Sequence, residues 1–358
     1  MTLATPAAST AVPIDETEPL ARVGGHSLRR QIAGVAALGI AVVAVTLASL
    51  AVGAKPIPVG TVVDAFASYD SSDTDHLIVR ELRLPRTIIG LIVGAALAVS
   101  GAVMQAVTRN PLAGPGLLGV NAGASFAVVT ALWVFDIGTT LGLVWFAFLG
   151  AGITSIVVYA LGSIGRGGAT PVRLALAGAA LSALLLSLTR AVTLLDRATL
   201  DQFRFWAVGS LAGRDADVAG QLTPFIIAGL AIAVALSRPL NSLALGDDAA
   251  RGLGVKVGLT RAVSGLAIVL LCGAAVAAAG PIAFVGLVIP HAVRAWFGPD
   301  QRWLVPACAL AGPALLLFCD VVGRVIARPG EVQVGIMTAA IGGPAFVVLV
   351  RRLKAIRL

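Results

Sequence analysis

The chain has 358 residues, of which 58% are hydrophobic and only 12% are charged. A soluble domain carries about twice that charged fraction, so the composition excludes an ordinary water-soluble protein. The net charge of +8 does not indicate a nucleic-acid partner. The basic residues are scattered rather than clustered, and an excess of Lys and Arg is typical of the cytoplasmic loops of membrane proteins.

The N-terminal segment differs from everything that follows it. Residues 1–28 are rich in Ala, Thr, Pro and acidic residues and have no apolar periodicity, which predicts a disordered cytoplasmic tail. The segment is not typical of a signal peptide, because the first long apolar run starts only at Gln31. We therefore divide the chain into this tail and a transmembrane domain over residues 29–358.

The transmembrane domain contains about ten apolar runs near the length of roughly 20 residues that crosses a bilayer as a helix. Helices are expected because a helix satisfies its own backbone polar groups in lipid. The predicted fold is an all-α polytopic membrane protein with helices at 31–52, 86–107, 115–134, 142–162, 171–194, 220–238, 260–280, 282–298, 304–326 and 333–351.

Charge sets the predicted orientation. An even number of helices places both termini on one side, and with the N-terminus inside, the cytoplasmic segments collect most of the 26 basic residues. Both termini are therefore expected in the cytoplasm of a cell that holds this chain in its plasma or inner membrane. The external segments 53–85 and 195–219 are long enough to hold structure, and the longest internal loop is 239–259.

The chain lacks an energy source of its own. No stretch matches the phosphate-binding pattern GxxxxGK[ST]. The sole acid inside a predicted helix is Asp320, which disfavours a proton-driven carrier, although sodium can be held by backbone carbonyls alone and an ion-coupled carrier stays open. No catalytic cluster, metal site or cofactor is expected, because the cysteines and histidines lack ligand spacing.

The internal loop 239–259 contains a segment that looks helical, Leu243 to Leu253. Asp247 and Asp248 lie near its start and Arg251 later, as the helix dipole favours. Gly252 or Gly254 would end the helix. Two interpretations stay open: a short helix on which a soluble partner docks, and a solvated linker.

Seven motifs follow one another along the chain from about residue 30 to the end. They are RLPR (83–86), SGAVMQ (100–105), RNPLAGPGLLG (109–119), FWAVGSL (205–211), LALGDDAARGLGV (243–255), GPIAFVGLVIPHAVRAWFGPDQR (280–302) and EVQVGIMTAAIGGPAFVVLV (331–350). In this order they resemble the permease subunits of type II ABC importers for iron–siderophore complexes and cobalamin.

The resemblance implies a dimer of ten-helix permease subunits. Two ATPase subunits would dock on the cytoplasmic side and an extracytoplasmic substrate-binding protein on the other. The permease itself would not be an enzyme, since ATP hydrolysis belongs to the partner ATPases. The segment 243–255 would be the coupling helix, in which the motif is matched by Gly246, Asp247, Asp248, Ala249, Arg251 and Gly254.

Three arginines match family residues that pair with glutamates on the binding protein: Arg83, Arg86 and Arg324. The alternative is that they are interfacial arginines that snorkel to the membrane surface. The resemblance also implies a cytoplasmic gate at Asn110, Pro111 and Leu112, beside Pro171 and Val172. The Asn-Pro pair is equally typical of a tight turn.

Two polar residues of the second apolar run, Ser100 and Gln105, either line the path or bond to a neighbouring helix. The cargo that the resemblance implies is a ferric-siderophore complex, with a paralogous permease as the second subunit. The alternatives are a cobalamin or haem permease that works as a homodimer and, from a different class, the ion-coupled carrier.

Overall fold

The structure is a computed structural model that describes residues 28–164, 170–214 and 216–356. Within these residues, seven helices are long and apolar enough to cross a membrane, and three shorter apolar helices accompany them. The expected all-α membrane fold with about ten helices is thereby confirmed. The predicted tail lies outside the described residues except for Leu28, which begins the first helix.

We number the ten apolar helices as spans one to ten. In chain order they are Leu28–Ala51, Thr74–Thr108, Val120–Phe135, Thr140–Ser163, Pro171–Leu195, Ala216–Ala235, Val257–Ala279, Val285–Phe297, Gln301–Ile326 and Val334–Ile356. The described parts of the connections contain four short helices, Val59–Ala67, Arg197–Ala207, Ser237–Ala244 and Asp247–Gly252, and a 3₁₀ turn at Pro115–Leu118.

The bundle has two ends, which we name after one residue each. The Arg109 face carries the end of span two and the start of span one, where the Gln31 side chain reaches the Phe297 carbonyl at 3.4 Å. The Arg86 face carries the end of span one, where the Arg324 side chain reaches the Ser49 carbonyl at 2.9 Å.

Span two begins well before its predicted start at residue 86. Its first part is a short α-helix and a π-helical segment, Ile78–Arg83, which precedes Pro85. A proline ring clashes with the carbonyl four residues earlier in a regular helix, and a wider turn accommodates it. Hydropathy missed this extension because it is rich in charged residues, but Val79 is buried in a small apolar cluster with Ile57 and Val62.

The predicted helix from Leu243 to Leu253 is wrong in one respect, because the structure divides this segment into two short helices. The break lies at Gly246, whose φ of +105° is a backbone conformation that favours glycine. The second helix, Asp247–Gly252, ends at one of the glycines expected to end it. In span eight, by contrast, Pro290 is accommodated inside a continuous helix.

Span two lies at the centre of the bundle, in contact with spans one, five, six, seven, eight and nine. Glycines allow this close packing, since small residues let helix backbones approach each other in lipid. A Cβ atom on Gly101 would lie 1.9 Å from the Gly286 carbonyl oxygen of span eight. A Cβ on Gly312 of span nine would lie 2.1 Å from the Gly94 oxygen. Span two is therefore held between spans eight and nine at backbone contact.

Replacing Gly101 by valine should separate spans two and eight. We expect a loss of about 3 kcal/mol of stability, the upper end for overpacking a core, measured by thermal unfolding of the purified protein in detergent. The control is Gly265→Val in span seven, where an added Cβ meets no atom within 4 Å. Equal melting temperatures for the two variants would contradict the prediction.

Candidate functional site

A fully buried carboxylate, Asp320 of span nine, lies at the centre of the Arg86 face. The Arg86 side chain donates from Nε at 3.1 Å to both carboxylate oxygens and from Nη2 at 2.7 Å to Oδ1. Arg324 Nη2 lies 3.0 Å from the other oxygen, Oδ2. Charge-assisted bonds of this kind are among the strongest in proteins, so the pair Arg86–Asp320 fixes span two against span nine.

Arg324 continues the network toward span one. Its guanidinium donates to the Ser49 carbonyl at 2.9 Å and to Ser49 Oγ at 2.8 Å. The Ser49 and Thr87 hydroxyls are 2.8 Å apart, and Thr87 donates to the Arg83 carbonyl at 2.7 Å. A chain of hydrogen bonds thus runs from span nine through the end of span one to span two.

Arg83 holds the segment that follows span one. Its guanidinium donates to the Leu50 carbonyl at 2.6 Å and to the Lys55 carbonyl. Arg83 is 6% exposed and Arg324 is 4% exposed. The interpretation of these two as snorkelling arginines therefore does not describe them, and their role in docking stays a prediction.

Arg86 differs from the other two arginines because one of its partners reaches the surface. Its Nη1 donates at 2.8 Å to Glu331, whose side chain is 35% exposed. The sequence marks Asp320 as the sole acid in a predicted span but does not by itself name its partners. The rule that charges inside a membrane pair with one another was the signal that could have found them.

On the Arg109 face, the predicted coupling segment is tied to two spans through Asp247. Asp247 Oδ1 accepts a hydrogen bond from Arg261 of span seven at 2.9 Å. The same oxygen lies 3.5 Å from Arg109 Nη2, at the end of span two. Neither arginine was expected to take part from the sequence. Asp247 therefore points inward and joins the short helix to the bundle.

The rest of the segment presents an outward surface. Asp248 is exposed and pairs with Arg251 at 2.7 Å, an exposed pair of little energetic weight. Leu245 and Leu253, which flank the helix, are 68% and 62% exposed. Inside the segment, Ala250 is buried against the bundle. Of the remaining predicted residues, Ala249 lies within the helix, and Gly254 adopts a φ of +81° just after it.

The neighbouring helix Ser237–Ala244 is fixed to the loop before span nine. Asn241 donates to Asp300 Oδ1 at 2.6 Å and accepts from the Gln301 backbone at 2.9 Å. Asp300 also accepts hydrogen bonds from the side chain and backbone of Arg302. Mainly through the Arg302 side chain, these bonds lower the pKa of Asp300 to about 2, so this anchor stays charged at physiological pH.

The predicted gate residues form a tight turn after span two. Arg109 has a left-handed φ of +50°, and Asn110 Oδ1 accepts the Leu112 backbone N–H at 2.9 Å. Leu112 is exposed beside Pro111, and Val172 is exposed at the start of span five, directly after Pro171. The turn is observed, and the gate role stays a prediction.

The two candidate path residues have different surroundings. Ser100 is fully buried and donates to the Leu97 carbonyl of its own helix at 2.9 Å. Gln105 accepts from Arg294 of span eight at 3.1 Å. It lines a cleft of about 610 Å³ on the Arg109 face, together with Asn110 and Arg294. Their role in the path stays a prediction. The position of Gln105, at a cleft, suits that role better than the position of Ser100.

Asp320→Asn should test the buried network, because it removes the charge that balances Arg86 and Arg324. We expect a loss of about 3 kcal/mol, the lower end of the cost of breaking a buried ion pair, read from denaturant unfolding in micelles. The matched control is Glu331→Gln, which removes a partly exposed partner of the same arginine. Asp320→Asn should be clearly less stable than Glu331→Gln. Equal free energies of unfolding in the two variants would contradict a stabilising role of the buried network.

Comparison with known proteins gives consistent results. The model of the FecCD transport family matches residues 41–352. The ferric enterobactin transport system permease FepD of Escherichia coli is 48% identical over 92% of this chain and 98% of its own length. The iron(3+)-hydroxamate import system permease FhuB of Bacillus subtilis is 42% identical over 85% of this chain and 79% of its own.

Solved structures agree with the sequence matches. A structure described as an inward-facing metal-chelate type ABC transporter superposes with a TM-score of 0.77 at 30% identity, over 89% of this chain and 98% of that chain. The family model covers most of the chain and includes every predicted site residue. The chain therefore belongs to the FecCD transport family, the permease subunits of ABC transporters.

Proposed function

We propose that this chain is the membrane-spanning permease subunit of an ATP-driven importer of ferric-siderophore complexes. The observation that carries the proposal is the match to an iron-chelate permease along almost the whole length of both chains. The fold is compatible, since the buried bundle leaves one structured surface at each end for separate partners.

We further propose an assembly of two permease subunits, two ATPase subunits and a substrate-binding protein. The second permease is a paralogue or a second copy of this chain. The Arg109 face would be cytoplasmic, with both termini on that side, because it carries many of the basic residues at span ends. These include Arg29, Arg30, Arg109, Arg238, Arg251, Lys256 and Arg261.

The coupling segment would receive the ATPase movement. Leu245 and Leu253 offer apolar contact to a cleft on the partner, while Asp247 faces the bundle and holds Arg109 and Arg261. A displacement of the short helix would thus reach the end of span two and the turn at Asn110. This route uses a short chain of direct contacts rather than a long path through the protein.

Docking of the binding protein would occur on the Arg86 face. Arg83 and Arg324 shape this face from inside through their backbone contacts. Arg86 is the arginine that can exchange a partner, because a carboxylate on the binding protein can replace Glu331 at Nη1 without disturbing Asp320. Charge pairs of this kind govern orientation and association rate more than affinity.

The function is tested by reconstituting the chain with its partner subunits in vesicles. Uptake of a ferric siderophore should require ATP, an active ATPase and the binding protein. Uptake that persists with an inactive ATPase and falls when an ion gradient is collapsed would establish the ion-coupled carrier instead. Uptake of cobalamin or haem in place of ferric chelates would establish the alternative cargo.

Asp247→Asn should uncouple ATP hydrolysis from uptake. The neutral amide loses the ion pairs to Arg261 and Arg109, and we expect about a tenfold lower uptake per ATP hydrolysed, consistent with the loss of a charge-assisted hydrogen bond. The control is Asp201→Asn, which breaks the exposed pair with Arg204 on the opposite face. Equal uptake per ATP hydrolysed in both variants would contradict this role of Asp247.

Glu331→Ala should tighten docking of the binding protein, because it removes the competing carboxylate from Arg86. The gain should be about fivefold or less, since exposed ion pairs are worth about 1 kcal/mol at most. The gain is measured as the affinity of the purified binding protein for the transporter complex in nanodiscs. Glu81→Ala is the control, because it removes an exposed acid near the same face without freeing Arg86. An equal gain in affinity in both variants would contradict the prediction, because it would show that the net charge of the face, and not the release of Arg86, controls docking.

A further inference from the structure

A cavity of about 460 Å³ runs along the second half of span five. Its other walls come from span three, the short helix Arg197–Ala207 and the residue Pro281. The volume falls within the range of small-molecule sites, which is about 300–1,000 Å³. The polar part of the lining consists of Asn121, Ser125, Ser182, Thr189 and Arg190.

The spacing on span five gives the cavity a continuous wall. Ser182, Leu186, Thr189 and Arg190 all line it. Residues separated by four, seven and eight positions share one face of a helix. An arginine and two hydroxyl residues thus occupy one stripe of a membrane-spanning helix.

Three of these polar side chains form no hydrogen bond within the part of the chain that the structure describes. Many hydroxyl groups elsewhere in the spans bond to the carbonyl four residues earlier, as in Thr130 to Phe126 at 2.8 Å. Among the described residues, no such partner exists for the side chains of Asn121, Ser125 or Ser182. These groups are therefore available to a molecule that enters the cavity.

Arg190 is the charged member of the lining. Its guanidinium forms no hydrogen bond or ion pair with any described residue, and the lining contains no acid. A charge inside a membrane span is costly and is typically paired or placed toward a functional pathway. Arg190 is exposed and lies five residues before the end of span five, so its charge is accessible to a molecule in the cavity.

We propose that the cavity is a cargo-contact site and that Arg190 makes the permease select anionic ferric chelates over neutral ones. This rests on the proposed function. A guanidinium beside an amide and hydroxyls is a donor set suited to the oxygen anions of carboxylate or catecholate chelates. Such chelates carry net negative charge around Fe³⁺, whereas a trihydroxamate chelate is neutral. Phe203, which also lines the cavity, offers an aromatic contact for the organic part of the chelate.

The experiment uses the full complex in vesicles, with uptake of a ferric tricatecholate and of a ferric trihydroxamate measured separately. Arg190→Gln should lower uptake of the anionic chelate about tenfold, the size of one charge-assisted hydrogen bond, and Arg190→Lys should restore much of it. Uptake of a neutral chelate, where the wild type shows any, should not change. The control is Arg204→Ala, an exposed arginine on the helix that forms one wall.

The other outcomes separate the proposals. If the wild-type complex transports no ferric chelate, the proposed function fails. If Arg190→Gln leaves uptake of the anionic chelate unchanged, or if the wild type transports only the neutral chelate, the cargo-contact site is overturned while the function stands. A lower melting temperature or poorer assembly of Arg190→Gln would place Arg190 in a subunit contact and also overturn it. An effect of Arg190→Gln seen only in vesicles of anionic lipid would also overturn the cargo-contact site, because it would identify a lipid headgroup as the partner of Arg190.

Discussion

The buried carboxylate of Asp320 is the constraint on which the Arg86 face depends. A charge removed from water costs several kcal/mol unless cations and hydrogen bonds surround it. Arg86 and Arg324 supply both, and they carry more positive charge than one carboxylate balances. Glu331 and Ser49, at the end of span one, accept from further donors of the two arginines, while the buried Arg324 Nε has no partner among the described residues. The network is complete only when spans one, two and nine are all in place.

Span two connects this network to the opposite face. Its α-helical part runs without a break from Leu84 to Thr108, and the turn that follows brings Arg109 to Asp247. Because Gly94 and Gly101 pack at backbone contact against spans nine and eight, the helix has little room to bend. A rigid helix with a charged contact near each end transmits movement as a displacement of the whole element. This suits a subunit that must relate events on two sides of a membrane.

The sequence predicted the ten helices well because length and apolarity determine a membrane span almost alone. It predicted the coupling segment from the motif but not the break at Gly246, since a glycine among helix formers does not reveal its φ angle. The charged contacts were missed for a different reason. Arg324 and Ser49 lie far apart in the chain, and neither residue type indicates by itself that the side chain is buried. Only the three-dimensional packing decides whether an arginine near a span end snorkels or forms an internal bond.

The same limit applies to the cavity beside span five. A serine that bonds to its own helix and one that faces a cavity look identical in sequence, and Ser182 differs from Ser187 only in where its helix face points. Of the described residues that line the cavity, none belongs to span two, which holds the contacts at both faces. Contact with cargo and transmission of movement would therefore use different helices. Side chains around Arg190 could then change to suit another chelate without disturbing the Asp320 network or the Asp247 contact.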